Sequence, residues 1–287
     1  MTAAALAGAF DAARVDGRSL LVGYLPAGFP SVAGGQAVLR AMVSGGVDVV
    51  EVGLPYSDPV MDGPTIQAAA EIALRGGARI RDTLATVEAV AGSGVPALVM
   101  TYWNPVERYG VERFARDLAS AGGAGLITPD LIPEEASPWL SASDALDLSR
   151  VFLVAPSSSD DRIAAAAKAC RGFVYATSVM GVTGARGTTS AAAPHLVARV
   201  RAQSDIPVGV GLGVSDGVQA AEVAAFADAV IVGSAFVRKV LDAADEAAAL
   251  SAVEALAGNL ADGVRRPHRR SGDGGGTPDA VSTVQRG

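Results

Sequence analysis

Residues 20–30 read Leu20-Leu21-Val22-Gly23-Tyr24-Leu25-Pro26-Ala27-Gly28-Phe29-Pro30. The first six make an apolar run that stops at proline, the pattern of a buried strand. Further strand-like runs recur at 47–53, 97–102, 125–128, 150–155, 172–177, 207–211 and 229–233. Helical periodicity fills the intervals at 32–44, 65–76, 80–91, 111–121, 160–169, 192–203, 217–225 and 235–249. Such alternation predicts a parallel sheet, either open and doubly wound or closed. An open dinucleotide-binding sheet carries a glycine fingerprint after its first strand. Pro26-Ala27-Gly28-Phe29-Pro30 cannot serve as that loop, and eight strands favour closure. The fold read here is α/β, a (β/α)8 TIM barrel, with an extra N-terminal helix at 3–14 able to plug its bottom.

Length and composition agree with one large domain. The chain has 287 residues, half of them hydrophobic, and its barrel is expected to span 1–264. From 265 to 287 the composition turns to Pro, Gly, Ser and charge, which predicts a disordered tail. No apolar run reaches about eighteen residues, so no membrane span is expected. Residues 1–16 lack the basic start and apolar core of a signal peptide. A net charge of −7 argues against a nucleic-acid surface. Cys170 is the single cysteine, which excludes an intrachain disulfide and a cysteine-rich metal cluster. A cytoplasmic location fits these traits.

The residues that carry chemistry are few. The histidines are His195, in a helix-opening context after Pro194, and His268, in the tail, so a Ser-His-Asp triad is not expected. Lys168 and Lys239, the only lysines, fall in helical patterns and not at strand ends. Two acids stand out in Glu51-Val52-Gly53-Leu54-Pro55-Tyr56-Ser57-Asp58-Pro59-Val60-Met61-Asp62-Gly63-Pro64. Glu51 lies within a strand of β-branched residues, where a carboxylate is costly to bury without a partner or a task. Asp62 follows on a proline-stiffened loop able to hold it over the same pocket. A solvated strand end and an ordinary turn aspartate are the alternative reading.

The barrel sharpens this picture, because such folds place reacting groups where strand C-termini meet their loops. Alternation turns Leu98, Met100, Tyr102, Ile127, Pro129, Leu153, Phe173 and Tyr175 inward, as core or as an apolar cavity wall. A carboxyl group held there has a raised pKa and can deliver a proton near neutrality. Glycine-rich segments follow at 181–184, 209–213 and 233–234, and bare N–H groups beside a helix start suit a phosphate. The expected substrate therefore has a phosphate at one end and an apolar body at the other.

Together these motifs resemble the tryptophan synthase α subunit family over about 20–260. The resemblance is carried by Gly-Tyr-Leu-Pro-Ala-Gly-Phe-Pro (23–30), the 51–64 stretch, Thr-Tyr-Trp-Asn-Pro (101–105), Pro-Asp-Leu-Ile-Pro-Glu-Glu (129–135) and Gly-Val-Thr-Gly (181–184). It implies cleavage of indole-3-glycerol phosphate to indole and glyceraldehyde 3-phosphate, a carbon–carbon lyase reaction without metal or cofactor in this subunit. By match, Glu51 would protonate indole C3 and then take the side-chain hydroxyl proton, while Asp62 would partner the ring N–H. Tyr102, Ile127 and Tyr175 would line the indole pocket. Gly184, Gly213, Gly233 and Ser234 would hold phosphate, and the loop at Thr183 would close over the substrate. The family works as an α2β2 heterotetramer whose β subunit carries pyridoxal phosphate, which makes Asp130 and the 55–59 loop candidate interface elements.

Some positions depart from the family pattern. Leu212, expected in the indole pocket wall, stands where phenylalanine is common beside the phosphate glycine, Pro129 replaces a small residue, and Ser157-Ser158-Ser159 replaces a Pro-Thr or Pro-Asn pair. Two other functions compete: another phosphate-binding barrel, such as a phosphoribosyl-anthranilate isomerase or synthase, and a scaffold that only binds and activates a β partner. The first typically uses lysine or cysteine at strand ends, which this chain lacks.

Overall fold

Strands buried on both faces need cover inside and out, and a closed barrel wrapped in helices supplies both. The structure, a computed structural model, describes residues 3–177 and 192–266. Its strands are β1 (Leu20–Pro26), β2 (Val49–Gly53), β3 (Ala97–Met100), β4 (Gly125–Thr128), β5 (Ser149–Val154), β6 (Val174–Thr177), β7 (Val208–Gly211) and β8 (Ala229–Val232). They pair in parallel and in sequence order, and β8 returns to β1. The helices are α1 (Ala3–Val15), α2 (Val32–Ser44), α3 (Pro64–Arg75), α4 (Ile80–Ala91), α5 (Trp103–Tyr109), α6 (Val111–Ser120), α7 (Ser137–Ala145), α8 (Asp160–Ala169), α9 (Ala192–Arg201), α10 (Gly217–Ala224), α11 (Ser234–Leu241) and α12 (Glu246–Val264).

Register explains what fills the barrel. Val22 pairs with Val49, Tyr24 with Glu51, Glu51 with Leu98, and Leu153 with Tyr175, so inward residues stay level between strands. Leu20, Val22, Val49, Leu98, Ile127, Val151, Phe173 and Ile231 form the inner core, and Leu6 and Phe10 of α1 join it. The Phe10 and Phe173 rings lie 5.7 Å apart, so α1 closes the bottom as the sequence predicts. Burying Leu6 and Phe10 contributes about 1.5–3 kcal/mol each.

The segment after β1 is a packed turn. Ala27 and Phe29 are buried, and Gly28 has φ +80° with the Ala78 methyl 2.7 Å from where its own β-carbon would stand. Only glycine tolerates both constraints. Helix ends follow local chemistry: Ser31 Oγ accepts from Gly34 N at 3.0 Å, and Gly46 and Gly122 take positive φ beyond α2 and α6.

Four elements differ from the expectation. The single helix expected at 235–249 is two helices, because Asp245 accepts from Ala248 N at 2.8 Å and starts α12 afresh. Helices α5 and α7 were not foreseen; each carries a proline in its first turn, where the missing N–H leaves no bond unmade. The third strand stops at Met100, which leaves Tyr102 outside the ladder. At the other end Arg265 donates to Gly46 O at 3.1 Å, and the rest of the expected tail, 267–287, lies outside the described residues.

Candidate functional site

At the C-terminal rim the inner residues stop filling space. Tyr24, Glu51, Met100, Tyr175, Gly211 and Ile231 on the strands, with Ile66 of α3, meet Met61, Asp62, Gly63, Gly213, Gly233 and Ser234 around a cavity of about 260 Å³. The room comes from glycine. A β-carbon on Gly211 would lie 2.7 Å from the Tyr175 hydroxyl oxygen, and one on Gly53 would overlap the Tyr24 ring. Gly209 likewise leaves space for Phe173, at 2.9 Å. Gly209 and Gly211, within the segment read from sequence as a phosphate cradle, instead sit in β7 and accommodate aromatic rings.

Glu51 is 1% exposed, and neither carboxyl oxygen has a hydrogen-bond partner among the described residues. Burial raises its pKa to about 8, so at neutral pH it is chiefly the neutral acid. Asp62 is half-buried. Burial raises its pKa as well, but a hydrogen bond from the Tyr102 hydroxyl to Oδ1, at 3.2 Å, pulls the other way. Both carboxyls are raised by burial, Glu51 far enough to keep its proton near neutrality, while the Tyr102 bond limits the rise at Asp62. Burial, followed by the nearby carboxylates, raises the pKa of Tyr24; burial, then Glu51, does the same for Tyr175. Both phenols remain donors.

Of the residues singled out from sequence, Glu51, Asp62, Tyr175, Gly213, Gly233 and Ser234 meet at the cavity. Ser234 opens α11 and lines the cavity together with the capping residue Gly233. Ile127 is buried in the inner core, and Leu212 is 2% exposed within the outer core; neither lines the cavity. Tyr102 stands behind Asp62. Thr183 and Gly184 lie outside the described residues.

Sequence reasoning missed Tyr24, Met61, Gly63, Ile66 and Ile231. Tyr24 was findable: it alternates with Val22 on β1 and falls in the 23–30 motif. Lys168 and Lys239 lie on α8 and α11, away from the strand ends. Among the described residues no cluster of three His, Cys, Asp or Glu could hold a metal, and no helix is long and apolar enough to cross a membrane.

The chain is similar to known proteins over most of its length. The sequence pattern of the family described as tryptophan synthase alpha chain matches residues 10–265. The tryptophan synthase alpha chain of Salinispora arenicola is 64% identical over 259 residues, covering 90% of this chain and 97% of that one. That of Nocardia farcinica is 63% identical over 260 residues, covering 91% and 96%. A solved structure of Mycobacterium tuberculosis tryptophan synthase superposes with a TM-score of 0.85 at 59% identity, covering 91% of this chain and 98% of that one.

Proposed function

Because this chain belongs to the tryptophan synthase alpha chain family, whose reaction cleaves indole-3-glycerol phosphate to indole and glyceraldehyde 3-phosphate, we propose that Glu51 and Asp62 divide the proton chemistry between them. The chain is a carbon–carbon lyase of tryptophan biosynthesis. Indole leaves poorly as a carbanion, so C3 must be protonated before its bond to the side chain breaks. The observation that carries the reading is the unpartnered, buried carboxyl of Glu51 facing the cavity, with its pKa near 8.

The steps balance without another reactant. Neutral Glu51 gives its proton to indole C3, and the positive charge that develops on the ring nitrogen is met by the Asp62 carboxylate. The Glu51 carboxylate then takes the proton of the adjacent side-chain hydroxyl. The oxygen lone pair forms the aldehyde as the carbon–carbon bond breaks, and its electrons restore the indole ring. Glu51 ends as it began, protonated.

Tyr175, Met100 and Ile231 suit the indole face, while Gly213, Gly233 and Ser234 suit the phosphate. On this reading the subunit needs no cofactor of its own. We place a pyridoxal phosphate-bearing β subunit, in an α2β2 complex in the cytoplasm, on the face formed by Asp130 and the 55–59 loop. Next to that loop Val60 and Met61 are exposed, at 78% and 49%. The test is indole release from indole-3-glycerol phosphate by wild type and Glu51→Gln. Loss of about 10²-fold or more with glycerol-phosphate binding intact supports the assignment; retained turnover moves the acid elsewhere.

A further inference from the structure

The connection from β2 to α3 leaves the barrel rim at Leu54 and carries Asp62 near its end. Prolines stiffen such a segment but do not aim a side chain. The aim comes from Tyr102, two residues beyond β3 and 5% exposed. Its hydroxyl oxygen accepts from Val60 N at 3.2 Å and from Met61 N at 2.9 Å, and donates to Asp62 Oδ1 at 3.2 Å. One donor and two acceptor positions are thereby used, the full capacity of a phenol. Tyr102 is itself held. Its ring lies 5.3 Å from that of Tyr56, whose hydroxyl accepts from Asn104 Nδ2 at 3.1 Å, and Trp103 N donates to Asp130 Oδ1 at 2.8 Å.

We propose that Tyr102 is a positioning residue that acts through Asp62: its hydroxyl clamps the backbone at 60–61 and aims the Asp62 carboxylate at the cavity. The proposal rests on the role of Asp62 given above. The clamp has two effects. It fixes the direction of the carboxylate, and by donating to it favours the ionised form over the neutral one. It also joins exposed Val60 and Met61 to the reacting site through one oxygen, so a shift of that backbone moves the carboxylate with it.

The experiment is a double-mutant cycle on the full chain with Tyr102→Phe, Asp62→Asn and both together, each assayed for indole release across pH. Tyr102→Phe keeps the ring and removes one oxygen. Expected are a fall in kcat of about tenfold, little change in KM, and an acid limb of kcat/KM displaced to higher pH. The double variant is expected to lose no more than Asp62→Asn alone. Additive losses, or an unmoved acid limb with wild-type kcat, overturn the positioning role even where the unfolding midpoint falls. Wild-type turnover in Asp62→Asn overturns the role of Asp62 itself, and the clamp's function with it.

Discussion

The hydroxyl oxygen of Tyr175 stands 2.7 Å from where a β-carbon on Gly211 would be, so neighbouring strands share one volume between a ring and a glycine. Tyr24 and Gly53 repeat the arrangement on β1 and β2. The cavity wall is shaped by which strand lacks a side chain as much as by which strand has one.

Gly211→Ala should therefore push the Tyr175 ring into the cavity. Overpacking of this kind costs about 1–3 kcal/mol, and the substrate meets the displaced ring. Thermal unfolding should show a lower midpoint and steady-state kinetics a higher KM. Wild-type values for both would mean that the ring has room elsewhere.

Glu51 links activity to stability through pH. Its pKa is raised from 4.5 to about 8 by burial, so the folded state holds a proton that the unfolded state has lost. The sign follows: its contribution is fully present below 4.5 and is lost as pH rises toward 8. Glu51→Gln, neutral at every pH, should exceed wild type in stability above pH 8 by up to a few kcal/mol and converge with it in acid. The wild-type kcat/KM should fall on an alkaline limb near 8, where the acid is spent. Parallel denaturant curves for both proteins over this range, with no alkaline gap, would contradict a buried neutral carboxyl.

Ser234→Asp tests the phosphate end. A carboxylate at the start of α11 suits the helix dipole, so folding should hold, but it repels a phosphate bound there. KM should rise about tenfold or more while the unfolding midpoint stays level or rises. An unchanged KM would put the phosphate elsewhere on the rim.

At the opposite end of the barrel, Asp48 accepts from Arg18 Nη1 and Nη2 at 3.0 and 3.1 Å and from Leu21 N at 2.8 Å. Removing it takes the main partner from a mostly shielded arginine, leaving it Asp16 and the Ser19 carbonyl, and takes the acceptor from the buried Leu21 N–H. Asp48→Ala should cost about 2 kcal/mol or more, seen as a lower urea midpoint, with KM of the folded protein unchanged. A midpoint within error of wild type would show that solvent replaces the clasp.

Much of this was legible in the chain itself. Periodicities of two and 3.6 residues are imposed by local backbone geometry, and they placed eight strands, most helices and the plug formed by α1. Glu51 was readable because a charge within an apolar strand conflicts with its surroundings, and Asp62 because prolines confine its loop. Local signals failed where two rules overlapped. The cap at Asp245 lay inside a continuous helical pattern, and α5 and α7 are short helices with a proline in the first turn.

What tertiary structure alone decided is which groups meet. Alternation turns Ile127 inward just as it turns Tyr175, yet only Tyr175 sits high enough to border the cavity, and height depends on the stagger of all eight strands. Gly209 and Gly211 read as a loop that cradles an anion until Phe173 and Tyr175 are seen occupying their space. The bond from Tyr102 to Asp62 spans 40 residues of sequence and forms because β2 and β3 are neighbours. Periodicity is a property of adjacent residues and survives in the sequence; the meeting of distant side chains is a property of closure.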